Sequence, residues 1–249
     1  MRNFILSLTI LAGLILSGNA QADDFMDTGV PSKPISIGVR FGLNSSGHKM
    51  ALDGYSDNVS VNHGTGWTAG AVVDLNVREF FSVQPGFFYE NRSYDYTVIR
   101  HSDNGNVKKL NNEIGHTRYN MFTIPVLAVF RFNITSHLQW DVAAGPYFGF
   151  SLGNGSDDVE SIAMSYQGNN GQDNSTGSYS YVKTSRDFYG GEQWQHKSFD
   201  WGLKIGTGIR LNKRYSLSFY YMNGFKDISA DRDWTMKNRS WSFVLGYDF

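Results

Sequence analysis

Arg239-Ser240-Trp241-Ser242-Phe243-Val244-Leu245-Gly246-Tyr247-Asp248-Phe249 closes the chain. Trp241, Phe243, Leu245, Tyr247 and Phe249 take every second position, with Ser240, Ser242, Val244, Gly246 and Asp248 between them. Side chains of a β-strand point alternately to its two faces, so this segment carries an unbroken apolar and aromatic stripe on one side. The other side is small or polar. The stretch reads as a strand that separates two very different surroundings.

The same alternation recurs upstream. Residues 215–222 set Tyr215, Leu217, Phe219 and Tyr221 against Ser216, Ser218 and Tyr220, and a tight 212–214 turn joins them to 199–211, where Trp201, Leu203, Ile205 and Ile209 oppose Asp200, Lys204 and Arg210. In 138–150, Leu138, Trp140, Val142, Phe148 and Phe150 alternate with Gln139, Asp141 and Tyr147. In 81–92, Phe81, Val83, Pro85, Phe87 and Tyr89 oppose Ser82, Gln84, Glu90 and Arg92. Residues 67–77 oppose Ala69, Ala71, Val73, Leu75 and Val77 to Thr68, Asp74 and Asn76, and 35–43 oppose Ile35, Ile37, Val39, Phe41 and Leu43 to Ser36 and Arg40. Residues 118–132 are apolar on both faces, which leaves open whether a bulge shifts the register or the interior takes an apolar cluster.

These segments make eight expected strands. Their connections alternate strictly: long and polar at 44–66, 95–115, 153–197 and 223–238, short near 78–79, 133–136 and 212–214. Even strand number with long loops on one side and short turns on the other is the layout of an outer-membrane β-barrel, with both termini on the periplasmic side. Segments of about 9 to 11 residues match a tilted strand crossing the hydrocarbon layer.

Face chemistry decides between membrane and water. Nearly every strand has one uncharged face of Ile, Val, Leu, Phe, Trp, Tyr and Ala, while the other collects Arg40, Asp74, Glu90, Arg92, Asp141, Asp200, Lys204 and Arg210. Eight aromatic-rich stripes turned inwards would overfill a barrel of this size, whose interior is just wide enough for packed side chains. Turned outwards they meet lipid, and the small, Gly-rich face fits the lumen. Phe81, Trp140, Tyr215, Tyr247 and Phe249 fall near the short-turn ends, and Trp67, Tyr89, Phe150, Trp201, Tyr221 and Trp241 near the loop ends, as two interfacial girdles require. The fold class is therefore all-β, an eight-stranded antiparallel transmembrane barrel.

Composition bounds the rest. The 27 Gly, 18 Phe, 14 Tyr and 6 Trp against 5 Pro favour strands and turns. The net charge of −1 and the lack of a Lys/Arg run speak against nucleic acid as a partner. Without cysteine, disulfides, thiolate metal sites and cysteine catalysis are excluded. Arg2, the apolar run 4–16 and Ala20-Gln21-Ala22 have the layout of a signal peptide, giving residues 1–22 as signal and 23–249 as one barrel domain. Residues 23–34, polar and with two prolines, read as a short mobile lead.

The chain resembles the outer-membrane β-barrel ("porin family") proteins of the Bacteroidetes type. The resemblance rests on Phe81-Ser82-Val83-Gln84-Pro85-Gly86-Phe87-Phe88-Tyr89, Ile124-Pro125-Val126-Leu127, Ala144-Gly145-Pro146-Tyr147 and Asp200-Trp201-Gly202-Leu203-Lys204-Ile205-Gly206-Thr207-Gly208. The last strand, ending on Phe249, is similar to the C-terminal insertion signal of such barrels, with Trp241, Phe243, Leu245, Tyr247 and Phe249 as its stripe. This resemblance implies outer-membrane lipid and the barrel-assembly machinery as partners. The 153–197 loop is longer than the family leads one to expect. The family name implies a pore, whereas eight strands leave a lumen filled by side chains.

For the interior charges, a network of mutually satisfied groups is the preferred reading over a conduction path or proton relay. Ser45, Ser46 and His48 cluster beyond the first strand, but no spacing singles out a nucleophile and its base, and His48, His63, His101, His116, His137 and His196 show no metal-ligand spacing. No cofactor, metal or catalytic residue is expected. Tyr55, Tyr166, Tyr179, Tyr181 and Tyr189, set among Gly, Ser and Asn, have the composition of an adaptable binding surface for an extracellular ligand, or simply shield the mouth. The expected function is a structural or adhesive outer-membrane barrel working through its loops. A small membrane enzyme or narrow channel, and a soluble lipocalin-like barrel with faces reversed, are the alternatives.

Overall fold

The computed structural model describes residues 24–52, 58–103, 107–169, 172–189, 196–230 and 234–249. The expected signal peptide and Tyr55 lie outside these residues, and of Tyr166 only the backbone is described. The strands are β1 (Ile35–Leu52), β2 (Asn58–Arg78), β3 (Phe81–Asp103), β4 (Val107–Asn133), β5 (Leu138–Asn169), β6 (Gln172–Asp187), β7 (Phe199–Leu211), β8 (Tyr215–Gly224) and β9 (Trp234–Asp248). All pair antiparallel in one sheet ordered β4-β3-β2-β1-β9-β8-β7-β5-β6, and β4 also pairs with β5. That last pairing closes a ring of eight strands. β6 stands outside the ring.

Each expected strand is present, but much of the described part of the long polar connections is strand and not loop. β3 and β4 pair from Phe81↔Phe130 up to Asp103↔Lys108, well beyond the segments legible as membrane strands. β5 runs on to Asn169, and within the supposed 153–197 loop it turns back as β6, pairing from Ser156↔Asp187 to Asn169↔Gln172. On the edge away from β4, β5 thus serves two neighbours, its lower half β7 and its upper half β6. His48, His63, His101 and His116, expected in loops, stand on β1, β2, β3 and β4.

The faces fall as the alternation requires. Along β1, Val39, Phe41 and Leu43 are 48 %, 57 % and 66 % exposed, while Arg40 and Asn44 are 6 % and 5 %. In β9, Trp241, Phe243 and Leu245 point outwards, as does Phe249 just after it, and Val244 and Asp248 point inwards. The aromatic belts form real contacts: Trp67 meets Tyr89 at 5.1 Å, Phe150 meets Phe199 at 5.2 Å and Tyr221 meets Trp241 at 4.2 Å near one edge. Phe81 meets Phe130 at 5.1 Å and Tyr215 meets Tyr247 at 5.3 Å near the other. β4 takes the phase that puts Met121, Thr123, Leu127, Val129 and Arg131 inside. The interior therefore accepts an apolar cluster, in which Leu127, Val129 and Ala143 pack with Tyr220. A register shift between Tyr119 and Met121 lies above it.

Polarity inverts along the inner face. Glu90 and Arg92 of β3 are followed on the same face by Tyr94, Tyr96 and Val98, which join Tyr119, Met121, Val159, Phe188, Ile228 and Met236 in one buried cluster. Where lipid covers the outside, the inner residues are polar. Beyond the belt the outside faces water, and the inside becomes an ordinary hydrophobic core.

The short-turn end is also ordered. The three-residue connection 212–214 contains a β-turn with φ of 53° at Asn212 and 57° at Lys213, closed by Arg214 N–H donating to Leu211 C=O at 3.0 Å. Positive φ at both central positions matches the twist of the flanking strands. The lead expected to be mobile is tied across the turns, with Phe25, Asp27, Gly29 and Pro34 carbonyls accepting from Asn133, Phe80, Glu79 and Asn76. Phe25 also stacks on Phe132 at 5.0 Å. Backbone carbonyls of the lead find donors at the turns, which composition alone does not reveal.

Candidate functional site

The eight charged residues expected inside are all buried, but they form two groups. Nearest the short turns, Arg40 pairs with Asp248 at 2.7 Å and Arg131 with Asp74 at 2.6 Å. Arg210 sits among three carboxylates, 3.3 Å from Asp141, 3.4 Å from Asp248 and 3.8 Å from Asp74. Asp74 also accepts from Gln84 at 2.8 Å and Ser82 at 3.3 Å. Three guanidiniums thus face three carboxylates. Charge balance of this kind is what a low-dielectric interior requires, because each unpaired ion there costs several kcal/mol.

The second group lies towards the far end. Glu90 pairs with Arg92, whose Nη2 also touches Met222 Sδ at 3.5 Å. Lys204 makes no ion pair among the described residues and lies 4.8 Å and 4.7 Å over the rings of Phe88 and Tyr220. Asp200 is held by neutral donors, Tyr147 Oη and Asn238 Nδ2, each at 2.7 Å. Asn238 accepts from Tyr119 Oη at 3.2 Å, which reaches His48 Nε2 at 3.5 Å. Val72, Phe88, Leu127, Val129 and Val244 lie between the two groups, and the cavities beside them measure about 10 Å³ each.

Two members of the first group were missed. Asp248 stands opposite the outward Tyr247 and Phe249, so its inward direction was legible from parity. Arg131 shares parity with Val129 and Leu127, and it was hidden only because the phase of that strand was open. Of the suspected catalytic cluster, Ser46 Oγ donates to the Ser93 carbonyl at 3.0 Å, and His48 packs edge-on to Tyr94 at 4.2 Å.

At the far mouth β7 and β8 stop, leaving the wall between β6 and β9 to two short segments. Phe188 N–H donates to Gly155 C=O at 3.0 Å, His196 N–H to Phe188 C=O at 2.9 Å, Lys197 N–H to Ile228 C=O at 2.8 Å and Ile228 N–H to Met236 C=O at 2.9 Å. This row of single bonds links β5 to β9. Phe188 stacks on Tyr119 at 4.7 Å, with Tyr189 and His196 against it. Burial among these rings pushes the His196 imidazole down to about 4, against the opposing effects of a hydrogen bond to the Ile228 backbone and the nearby Asp227. Above the mouth, β6 pairs with β5 alone among the described residues, and Tyr179, Tyr181 and Val182 are exposed on it.

A closed antiparallel ring with its apolar belt outside and its charges inside defines an integral outer-membrane β-barrel. The chain belongs to the outer membrane protein beta-barrel domain family, whose model matches residues 19–230. The match does not extend to the Bacteroidetes affiliation. No curated protein matches the chain. Among solved structures, Ail, the attachment invasion locus protein of Yersinia pestis, is 15 % identical, with 87 % of this chain and 100 % of Ail covered and a TM-score of 0.35. The translocator domain of the autotransporter NalP from Neisseria meningitidis is 11 % identical, with coverage of 86 % and 88 % and a TM-score of 0.26. Both are distant neighbours, and nothing about function follows from them.

Proposed function

We propose that this outer-membrane barrel is a membrane-anchored binding or adhesive protein whose lumen passes no solute and whose working surface is the β5–β6 hairpin. The observation that carries the reading is β6 itself: 16 residues without proline, free along one edge among the described residues, with Tyr179 and Tyr181 64 % and 51 % exposed. Such an edge offers a row of unpaired backbone donors and acceptors, and proteins ordinarily blunt edges of this length. Tyrosines among serines add rigid contact area at low entropic cost. The orientation follows from loop length: the hairpin faces outwards and the short turns and both termini face the periplasm, after removal of residues 1–22. Outer-membrane lipid and the assembly machinery are the partners of the barrel wall, and no catalytic role is assigned. The two charge-balanced groups and the apolar layer between them support closure of the lumen.

The purified barrel in detergent, applied to arrays of proteins and glycans, tests the reading. Specific capture that disappears in a Tyr179→Ser/Tyr181→Ser variant, with folding verified by heat-modifiable gel migration, is the expected result. Capture unaffected by the two substitutions, or none at all, leaves the hairpin as a shield over the mouth.

A further inference from the structure

We propose that the cavity at the short-turn mouth of the barrel is a binding site for a phosphate-type anion. The cavity measures about 250 Å³ and lies between the N-terminal lead, the β2–β3 turn and the β7–β8 turn. Six cationic side chains line it: Lys33, Arg78, Arg131, Arg210, Lys213 and Arg214. Only two acidic side chains, Glu79 and Asp248, do so. Arg131, Arg210 and Asp248 belong to the charge-balanced group immediately above, so the cavity's own excess rests on Lys33, Arg78, Lys213 and Arg214 against Glu79.

The partners of these cations show which are available. Lys213 pairs with Glu79 at 3.3 Å, Arg131 with Asp74 at 2.6 Å, and Arg210 with Asp141 and Asp248. Lys33 Nζ donates only to the Phe249 backbone oxygen, at 3.3 Å. Arg78 and Arg214, both exposed, make no ion pair among the described residues. Arg131, 5 % exposed in the wall, keeps an Nε with no hydrogen-bond partner. A concave site with several unspent guanidinium donors and low-dielectric walls concentrates anions. Guanidinium forks match phosphate oxygens bidentately, and a tetrahedral dianion can engage more of them than a single carboxylate can.

The volume suits a diphosphate or a phosphorylated headgroup and is too small for a polymer. Two sources share this chemistry, a phospholipid headgroup from the adjoining leaflet and a soluble phosphate compound. Which compartment supplies it rests on the orientation proposed above. Binding by the purified protein does not, so the two can fail separately.

Calorimetric titration of pyrophosphate into the purified barrel, in a neutral detergent at low salt, tests the site. Saturable binding is expected, weakened at least tenfold in an Arg78→Ala/Arg214→Ala variant and unchanged in Lys49→Ala on the opposite rim. Heat-modifiable migration verifies that the variants fold. Native mass spectrometry with phosphatidylglycerol separates the sources: adducts displaced by pyrophosphate identify a headgroup site, and pyrophosphate binding without adducts identifies a soluble ligand. Absence of saturable binding by both probes, or equal affinity of the double variant and the wild type, overturns the proposal.

Discussion

Single residues inside the barrel act through their partners. Arg40 Nη2 holds Asp248 on the last strand, and any Cβ at Gly38 would collide with both Asp248 Oδ1 and Arg40 Nη1. Removing one member of such a buried pair leaves an uncompensated charge, at a cost of about 3–5 kcal/mol. Arg40→Ala is therefore expected to lower the unfolding midpoint in detergent, read as loss of heat-modifiable migration at lower urea concentration. An unchanged midpoint would mean that the pair contributes nothing to stability. Most of this interior was legible in parity, because a charge opposite an aromatic stripe can only point inwards. What parity could not supply is pairing. Asp200 and Lys204 carry opposite charges on one face of β7, yet Asp200 is satisfied by Tyr147 and Asn238 and Lys204 lies over aromatic rings. Those choices depend on which strands face one another across the lumen.

At the level of elements, the membrane segments were readable and their extensions were not. Tyr94, Tyr96 and Val98 alternate as cleanly as any membrane strand, but their apolar face is the inner one, and their polar partners resemble a loop. β6 was concealed differently, because its described side chains, 178–185 and 187, are all exposed and neither face carries a buried apolar stripe. The signal that could have found these extensions is continuity of phase with reversed polarity. The segments stitching the mouth pack around His196, whose burial favours the neutral ring. Its folded pKa, about 4, lies below the ordinary 6.5, so the neutral ring's stabilising contribution is complete above about pH 6.5 and is lost as pH falls towards 4. Hydrogen exchange, corrected for intrinsic rates, is expected to show weaker protection of His196, Lys197 and Ile228 amides at pH 4.5 than at pH 7.5. His196→Phe keeps a ring against Phe188 and should abolish the difference. Equal protection at both pH values in the wild type would show that the stitching does not depend on that proton.

For the whole molecule, one ring of eight strands meets two solvents outside and carries two kinds of filling inside. In the membrane-spanning part, lipid takes Phe, Leu and Trp while balanced charges and a Leu127–Val129–Ala143 layer occupy the centre. In the part standing in water, aromatic side chains turn inwards and the outer hairpin presents Tyr179 and Tyr181. Under the proposed function, a closed interior assigns the work of the protein to its outer surface. The most direct test is single-channel recording of the refolded barrel in planar lipid bilayers, with insertion verified independently. The bilayer is expected to show no conductance above baseline with the wild-type protein. Reproducible stepwise currents would contradict the closed lumen and move the function from the hairpin to the pore.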